Sequence, residues 1–177
     1  MLNLNFSPFP HLSTSRFSLR PVELEDEHEI FALRSDPEVN RYLNRQPAAS
    51  LEDAREFITK IKKGIGENNS IMWAISLKEQ PLFLGSICFW NIDRNVFKAD
   101  IGYELLPAWQ GKGIIREVMP VVIEYGFNTM GLRIIEAELD PGNLRSVQIL
   151  ERFNFIREPG SSPQSTVYSL QSSVYGQ

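Results

Sequence analysis

Apolar positions recur along the chain with two different spacings, and the switches between them set out an order of elements. Phe17-Ser18-Leu19-Arg20 alternates apolar and polar before Pro21, the pattern of a short strand entering a turn. The acidic run Glu23-Leu24-Glu25-Asp26-Glu27 precedes Ile30, Phe31 and Leu33. Carboxylates at a helix start complement its positive end, so the run reads as a solvated helix start rather than a metal site. Asp36-Pro37-Glu38-Val39 marks a break and a restart, with Val39, Tyr42 and Leu43 on one helical face.

Ser50-Leu51-Glu52-Asp53 opens the clearest helix, with a capping-box start and Leu51, Ala54, Phe57, Ile58 and Ile61 at helical spacing. Lys60, Lys62 and Lys63 suit its negative end, and Gly64 and Gly66 are expected to stop it. A meander of strands follows over Ile71 to Leu77, Leu82 to Ile92 and Val96 to Leu106, separated by Lys78-Glu79-Gln80-Pro81 and Asp93-Arg94-Asn95. Ile114 to Met130 then has helical spacing, with a bend expected at Pro120, which has no N–H for the carbonyl of Arg116. Leu132 to Leu139 is strand-like, Leu144 to Phe153 helical, and Phe155-Ile156 and Thr166 to Leu170 are closing strands. No internal repeat or linker interrupts this order.

Composition narrows the function. The chain has 177 residues, 42% of them hydrophobic and 23% charged, which suits one soluble domain over 1–177 with its core at about 17–170. No run approaches the ~20 apolar residues that span a bilayer. The first residues lack the basic-then-apolar order of a secretory signal, so a cytoplasmic location is expected. With 18 Lys and Arg against 22 Asp and Glu, the net charge of -4 gives no general attraction to nucleic acid. A single cysteine with His11 and His28 cannot build a Cys/His zinc site, and no metal is expected. Cys88, inside Ser86-Ile87-Cys88-Phe89-Trp90, reads as a small buried hydrophobe rather than a nucleophile, because no base or cation stands nearby in the sequence.

The chemistry concentrates in Leu105-Leu106-Pro107-Ala108-Trp109-Gln110-Gly111-Lys112-Gly113-Ile114-Ile115, which joins a strand to a helix through two glycines. Glycines admit close backbone approach, and the free N–H groups of a helix start point toward anions. A phosphate or pyrophosphate site and a plain strand-to-helix turn both fit that pattern. Arg116 stands where a dinucleotide fingerprint needs its third glycine, and no Ser or Thr follows Gly111-Lys112 as a P-loop requires.

At Gln110-Gly111-Lys112-Gly113-Ile114-Ile115 the sequence resembles the GNAT acyltransferases, whose acetyl-CoA signature is Gln/Arg-x-x-Gly-x-Gly/Ala. It matches at every position but the last, where Ile115 replaces a small residue and must point away from the pyrophosphate. The Gly-Ile-Ile form and the Leu19-Arg20-Pro21 start resemble the branch of ribosomal-protein N-terminal acetyltransferases. Ile101-Gly102-Tyr103-Glu104-Leu105 and Tyr168-Ser169-Leu170 are similar to that family's fourth and last strands. Asn143-Leu144-Arg145-Ser146 with Glu151-Arg152-Phe153-Asn154-Phe155 is similar to its Asn-x-x-Ser helix, Asn154 replacing a glycine. Asn tolerates the left-handed conformation expected there.

The resemblance implies a mixed α/β fold, a largely antiparallel twisted sheet splayed at the CoA site with helices on both faces. It implies acetyl transfer from acetyl-CoA, the acyl-donor cosubstrate, to a primary amine in a direct ternary complex. Leu105 and Leu106 would meet the pantetheine through their peptide groups, and the N–H groups of Gly111, Lys112, Gly113, Ile114 and Ile115, after Gln110, would hold the pyrophosphate. Asn143 would contact the pantetheine arm, and Ser146 would give a proton to the leaving thiolate. For the base, Asp100 and Glu104 share a strand face. Glu104, nearer the expected reaction centre, is the first choice, with Asp100 second and Glu158 third; a solvated sheet edge or an ion pair with Lys98 or Arg94 is the structural alternative. The expected acceptor is a peptide or protein N-terminus, a ribosomal protein among the candidates. The alternatives are a small amine (polyamine, amino sugar or antibiotic) and a CoA-binding module without turnover. Monomer and homodimer are both open.

Overall fold

The structure is a computed structural model and describes residues 2–159 and 164–175. Its frame is an eight-stranded sheet in the order β1-β2-β3-β4-β5-β6-β8-β7. The strands are β1 (Leu12–Ser13), β2 (Phe17–Arg20), β3 (Ile71–Leu77), β4 (Gln80–Asp93), β5 (Lys98–Leu105), β6 (Ile134–Leu139), β7 (Ile156–Arg157) and β8 (Thr166–Gln171). Every neighbouring pair is antiparallel except β5 and β6. The helices are α1 (Glu27–Ser35), α2 (Pro37–Asn40), α3 (Leu51–Gly66), α4 (Ile114–Glu124) and α5 (Leu144–Arg152).

Alternation along β3 sends side chains to two cores. Ile71, Trp73 and Ile75 enter a core with α4, Leu84, Phe89 and Ile135, while Ala74 faces a smaller one built from Val22, Leu33, Ile58 and Phe83. Helices therefore cover both faces of the sheet. α3 begins as its sequence predicts, with Ser50 and Asp53 exchanging capping hydrogen bonds.

The expected boundaries shift where local geometry overrides pattern. α3 runs through Gly64 to Gly66, and Gly64 serves packing, since a Cβ there would meet Ser70 Oγ at 2.3 Å. β5 begins only at Lys98, because Phe97 has φ 59° and cannot extend the strand. The helix expected to reach Met130 ends at Glu124 and passes into a wider turn over Tyr125–Thr129. That turn lies beyond Pro120, at Gly126, where a Cβ would come within 2.8 Å of the Phe89 ring. α2 stops at Asn40, which leaves Tyr42 and Leu43 in a turn rather than on a helical face. Asn154 is left-handed at φ 62°, as expected.

β5 and β6 pair only from Lys98↔Ile134 to Asp100↔Glu136, although β5 continues to Leu105 and β6 to Leu139. Past Asp100 the two strands part. Leu106 donates its N–H to Leu84 on the β4 side, so by alternation Tyr103 and Leu105 turn theirs toward the gap. The gap is where the sheet can receive a ligand edge-on.

Candidate active site

The strand-to-helix loop stands at the mouth of the gap. Gly111 and Gly113 have φ of 73° and 74°, and a Cβ at Gly111 would meet nothing within 4 Å. These glycines thus supply backbone conformation, not room, and Gly113 turns the chain into α4 so that the first N–H groups of the helix face outward. Gln110 fixes the loop from inside, donating from Nε2 to the carbonyl of Leu105 at 3.1 Å and accepting from Arg145 Nη1 at 3.2 Å. Ile114 and Ile115 are buried in the core, and Ile115 also lines the larger cavity described below. Lys112 lies over the Trp109 ring at 4.6 Å.

Glu117, one turn into α4, anchors the start of the chain to this loop. Its carboxylate accepts from Thr14 Oγ1 (2.6 Å), Ser15 Oγ (2.9 Å), the Arg16 N–H (3.0 Å) and Arg16 Nε (2.6 Å). Burial alone would raise its pKa, but these donors prevail and hold it at about 2.

Two cavities of about 400 and 450 Å³ open along β5 and share Leu43, Tyr103 and Glu104. The larger runs along the loop and α5, past Gln110, Gly111, Ile115, Asn143 and Ser146. The smaller lies between the sheet and α1 and α3, lined by Arg34, Arg45, Phe57, Met72, Cys88 and Trp90 among others. Gly102 floors it, since a Cβ there would press on Cys88 Sγ at 3.3 Å. Burial pushes the Cys88 thiol up to about 12, so it stays protonated at neutral pH.

At the junction Arg45 pairs with Glu104, Nη1 to Oε1 at 3.1 Å and Nη2 to Oε2 at 2.9 Å. The second contact is close but poorly aligned, and Nη2 and Oε2 are buried without a hydrogen bond. The Tyr103 hydroxyl is buried in the same condition; it neighbours Ser146 without good hydrogen-bond geometry. Burial pushes this phenol up to about 12, with Ser146 acting the opposite way. Among the described residues these three are the buried side-chain polar atoms without a hydrogen bond; Tyr103 and Glu104 line both cavities and Arg45 lines the smaller. Such groups are costly unless something completes them.

The structure brings most of the sequence-predicted site residues together. Glu104, Leu105, Gln110, Gly111, Ile115, Asn143 and Ser146 line the larger cavity. Leu106 departs from its expected role, because its N–H is spent on Leu84 and its carbonyl accepts from Trp109. Asn143 caps α5, its Oδ1 accepting the Ser146 N–H at 3.2 Å, which fixes where Ser146 sits. Asp100 is buried and accepts from Asn91 Nδ2 at 2.9 Å; burial raises its pKa, and it lines neither cavity. Glu158 also lines neither cavity and accepts from Ser169. Glu104 pairs with neither Lys98 nor Arg94: Lys98 holds Glu136 at 2.7 Å. The sequence reading missed Arg45, which comes from an unpatterned loop, and Tyr103, whose signal was a hydroxyl on the apolar face of a strand.

Residues 16–156 match the Acetyltransferase (GNAT) domain family, and the chain belongs to it. It is 35% identical over 147 residues to the uncharacterized N-acetyltransferase p20 of Bacillus licheniformis, covering 83% of each chain. It is 36% identical over 81 residues to the [Ribosomal protein uS5]-alanine N-acetyltransferase of Escherichia coli K12, covering 45% of this chain and 42% of that one. RimL, the ribosomal L7/L12 alpha-N-protein acetyltransferase solved with coenzyme A, superposes with a TM-score of 0.82 at 17% identity, covering 92% of this chain and 98% of that one.

Proposed function

We propose that the protein transfers acetyl from acetyl-CoA to a primary amine, with the donor in the larger cavity, the amine in the smaller and transfer at their junction. The observation that carries this is the Arg45–Glu104 ion pair and the Tyr103 hydroxyl at the meeting of the cavities, with Nη2, Oε2 and the phenol oxygen buried without a hydrogen bond. The donor cavity suits CoA chemically: outward N–H groups after Gly113 for phosphate, and the strand edge at Leu105 for an amide-bearing arm. When bound, acetyl-CoA supplies the activated acyl group.

The chain's own residues do the rest. Arg45 fixes the Glu104 carboxylate, whose Oε2 still has acceptor capacity for an amine N–H, so Glu104 orients the amine and takes its proton directly or through water. Ser146, placed by Asn143, holds a proton for the departing sulfur. Tyr103 stays protonated well above neutral pH and lies beside Ser146. The Leu105 N–H faces the gap by alternation, and in this reading it polarises the thioester carbonyl.

For the acceptor we favour a peptide or protein N-terminus over a polyamine, since the junction offers one carboxylate and a polycation needs several. The partial match to an alanine N-acetyltransferase of a ribosomal protein supports the same choice. Thiol release from acetyl-CoA is the test, with Ala- and Ser-starting peptides against spermidine and amino sugars. Amine-dependent release is expected, faster with peptides; acetyl-CoA binding without any release would leave a binding module instead.

A further inference from the structure

The smaller cavity holds a cation that the reaction as described does not use. Arg34, near the end of α1, lines it together with Arg45 and Glu104. Its guanidinium lies over the Phe57 ring of α3 at 3.7 Å from the centroid. Stacking occupies the face of a guanidinium and leaves its in-plane N–H groups free, the arrangement that binds a carboxylate through two parallel hydrogen bonds. Among the described residues no carboxylate lies within ion-pair distance of Arg34, whereas Arg45 has Glu104.

The charges lining the cavity do not cancel. Arg34, Arg45 and Lys60 face Glu104 and Glu138, and Glu138 already accepts from Ser165. Removing Arg45 with Glu104 leaves a surplus of positive charge on the Arg34 side. Burial and the neighbouring Arg45 lower the Arg34 pKa and Glu104 raises it, which marks a partly desolvated cation close to both. A guanidinium nonetheless stays charged at neutral pH. Phe57, Ile61, Met72 and Trp90 make the remaining wall largely apolar.

We propose that the acceptor carries a carboxylate beside its primary amine: Arg34 binds the carboxylate, Glu104 receives the amine, and the Phe57, Met72 and Trp90 wall takes an apolar side chain. This rests on the reading of the smaller cavity as the acceptor site, and it names the chemistry that cavity selects. The carboxylate has two sources, the α-carboxylate of a free amino acid or an acidic side chain beside a peptide N-terminus. Arg34 is here a specificity residue, separate from the transfer of the acetyl group.

The test uses leucine, methionine and phenylalanine against their amides, and amide-capped Ala-Asp against Ala-Asn. Each pair is compared by thiol release from acetyl-CoA and, without turnover, by calorimetry on the CoA-loaded protein. The expected result is a preference of about tenfold to a hundredfold for the carboxylate member of one pair, the scale of a hydrogen-bonded charge. That preference should vanish in Arg34→Met, which keeps contact with Phe57, with acetyl-CoA affinity unchanged. The pair that shows it identifies the source. Equal use of acids and amides, no binding of either, or a preference that survives in Arg34→Met overturns the proposal. Carboxylate-selective binding without acetylation would keep the Arg34 site and remove the transferase reading; acetylation without carboxylate preference would do the reverse.

Discussion

Arg45 reaches from the loop between α2 and α3 to Glu104 on β5, setting Nη2 2.9 Å from Oε2 at the point where the two cavities meet. The pair is mostly buried, and removing one partner of such a pair leaves the other charge uncompensated, at a cost of about 3–5 kcal/mol. Arg45→Ala and Glu104→Gln should each lower kcat/KM for the amine by about a hundredfold or more. Acetyl-CoA affinity by calorimetry should stay within about threefold, because neither change touches the loop. An equal loss of CoA binding in Glu104→Gln would mean that Glu104 serves the donor rather than the amine.

Ser146→Ala should reduce kcat by about 100-fold or more, the range of general acid contributions, with little change in acetyl-CoA affinity. Tyr103→Phe removes only the hydroxyl and should cost less. If Tyr103 acts through Ser146, the double variant should be no slower than Ser146→Ala alone, and full additivity in steady-state kinetics would separate the two residues.

The Glu117 carboxylate predicts an acid-sensitive link between the β1–β2 turn and the start of α4. Its folded pKa, at about 2, lies below the ordinary 4.5, so its contribution is complete above about pH 4.5 and disappears as the pH falls through 2. Glu117→Gln should therefore lower Tm at pH 7, by roughly 2–4 °C for each kcal/mol lost, and match the parent near pH 2. Thermal unfolding followed by circular dichroism across that window decides it. A constant difference between the two proteins at all pH values would mean that the carboxylate charge is irrelevant.

Gly113→Ala tests the loop geometry. At φ 74° an alanine is strained by about 1–2 kcal/mol, and acetyl-CoA binding should weaken by about tenfold in a protein that still folds. Gly66→Ala is the control, since a Cβ there meets nothing within 4 Å and should stabilise by about 0.4–1 kcal/mol.

Much of the frame was legible because it rests on periodicity. β3 coincides with its expected run and α3 with its capping signal, and the glycine loop was readable because positive φ favours glycine. The errors share a cause in long-range packing. The continuation of α3 through Gly64, the wide turn at Gly126 and the delayed start of β5 depend on Ser70, Phe89 and the conformation of Phe97. The same holds at the site. Glu104 was visible as a strand carboxylate, but Arg45 is 59 positions away in a loop without pattern, and only the fold brings the two together. Asp100 looked equivalent to Glu104 on its strand face, but Glu104 lines both cavities and Asp100 neither, a difference that only the fold makes.

Direct transfer across the Tyr103 and Glu104 junction is tested most directly by initial velocities with acetyl-CoA and the best amine varied together. Both substrates present at once predict intersecting double-reciprocal lines, preserved in Cys88→Ala. Parallel lines, or their loss with Cys88→Ala, would reveal an acetylated protein intermediate and contradict the account.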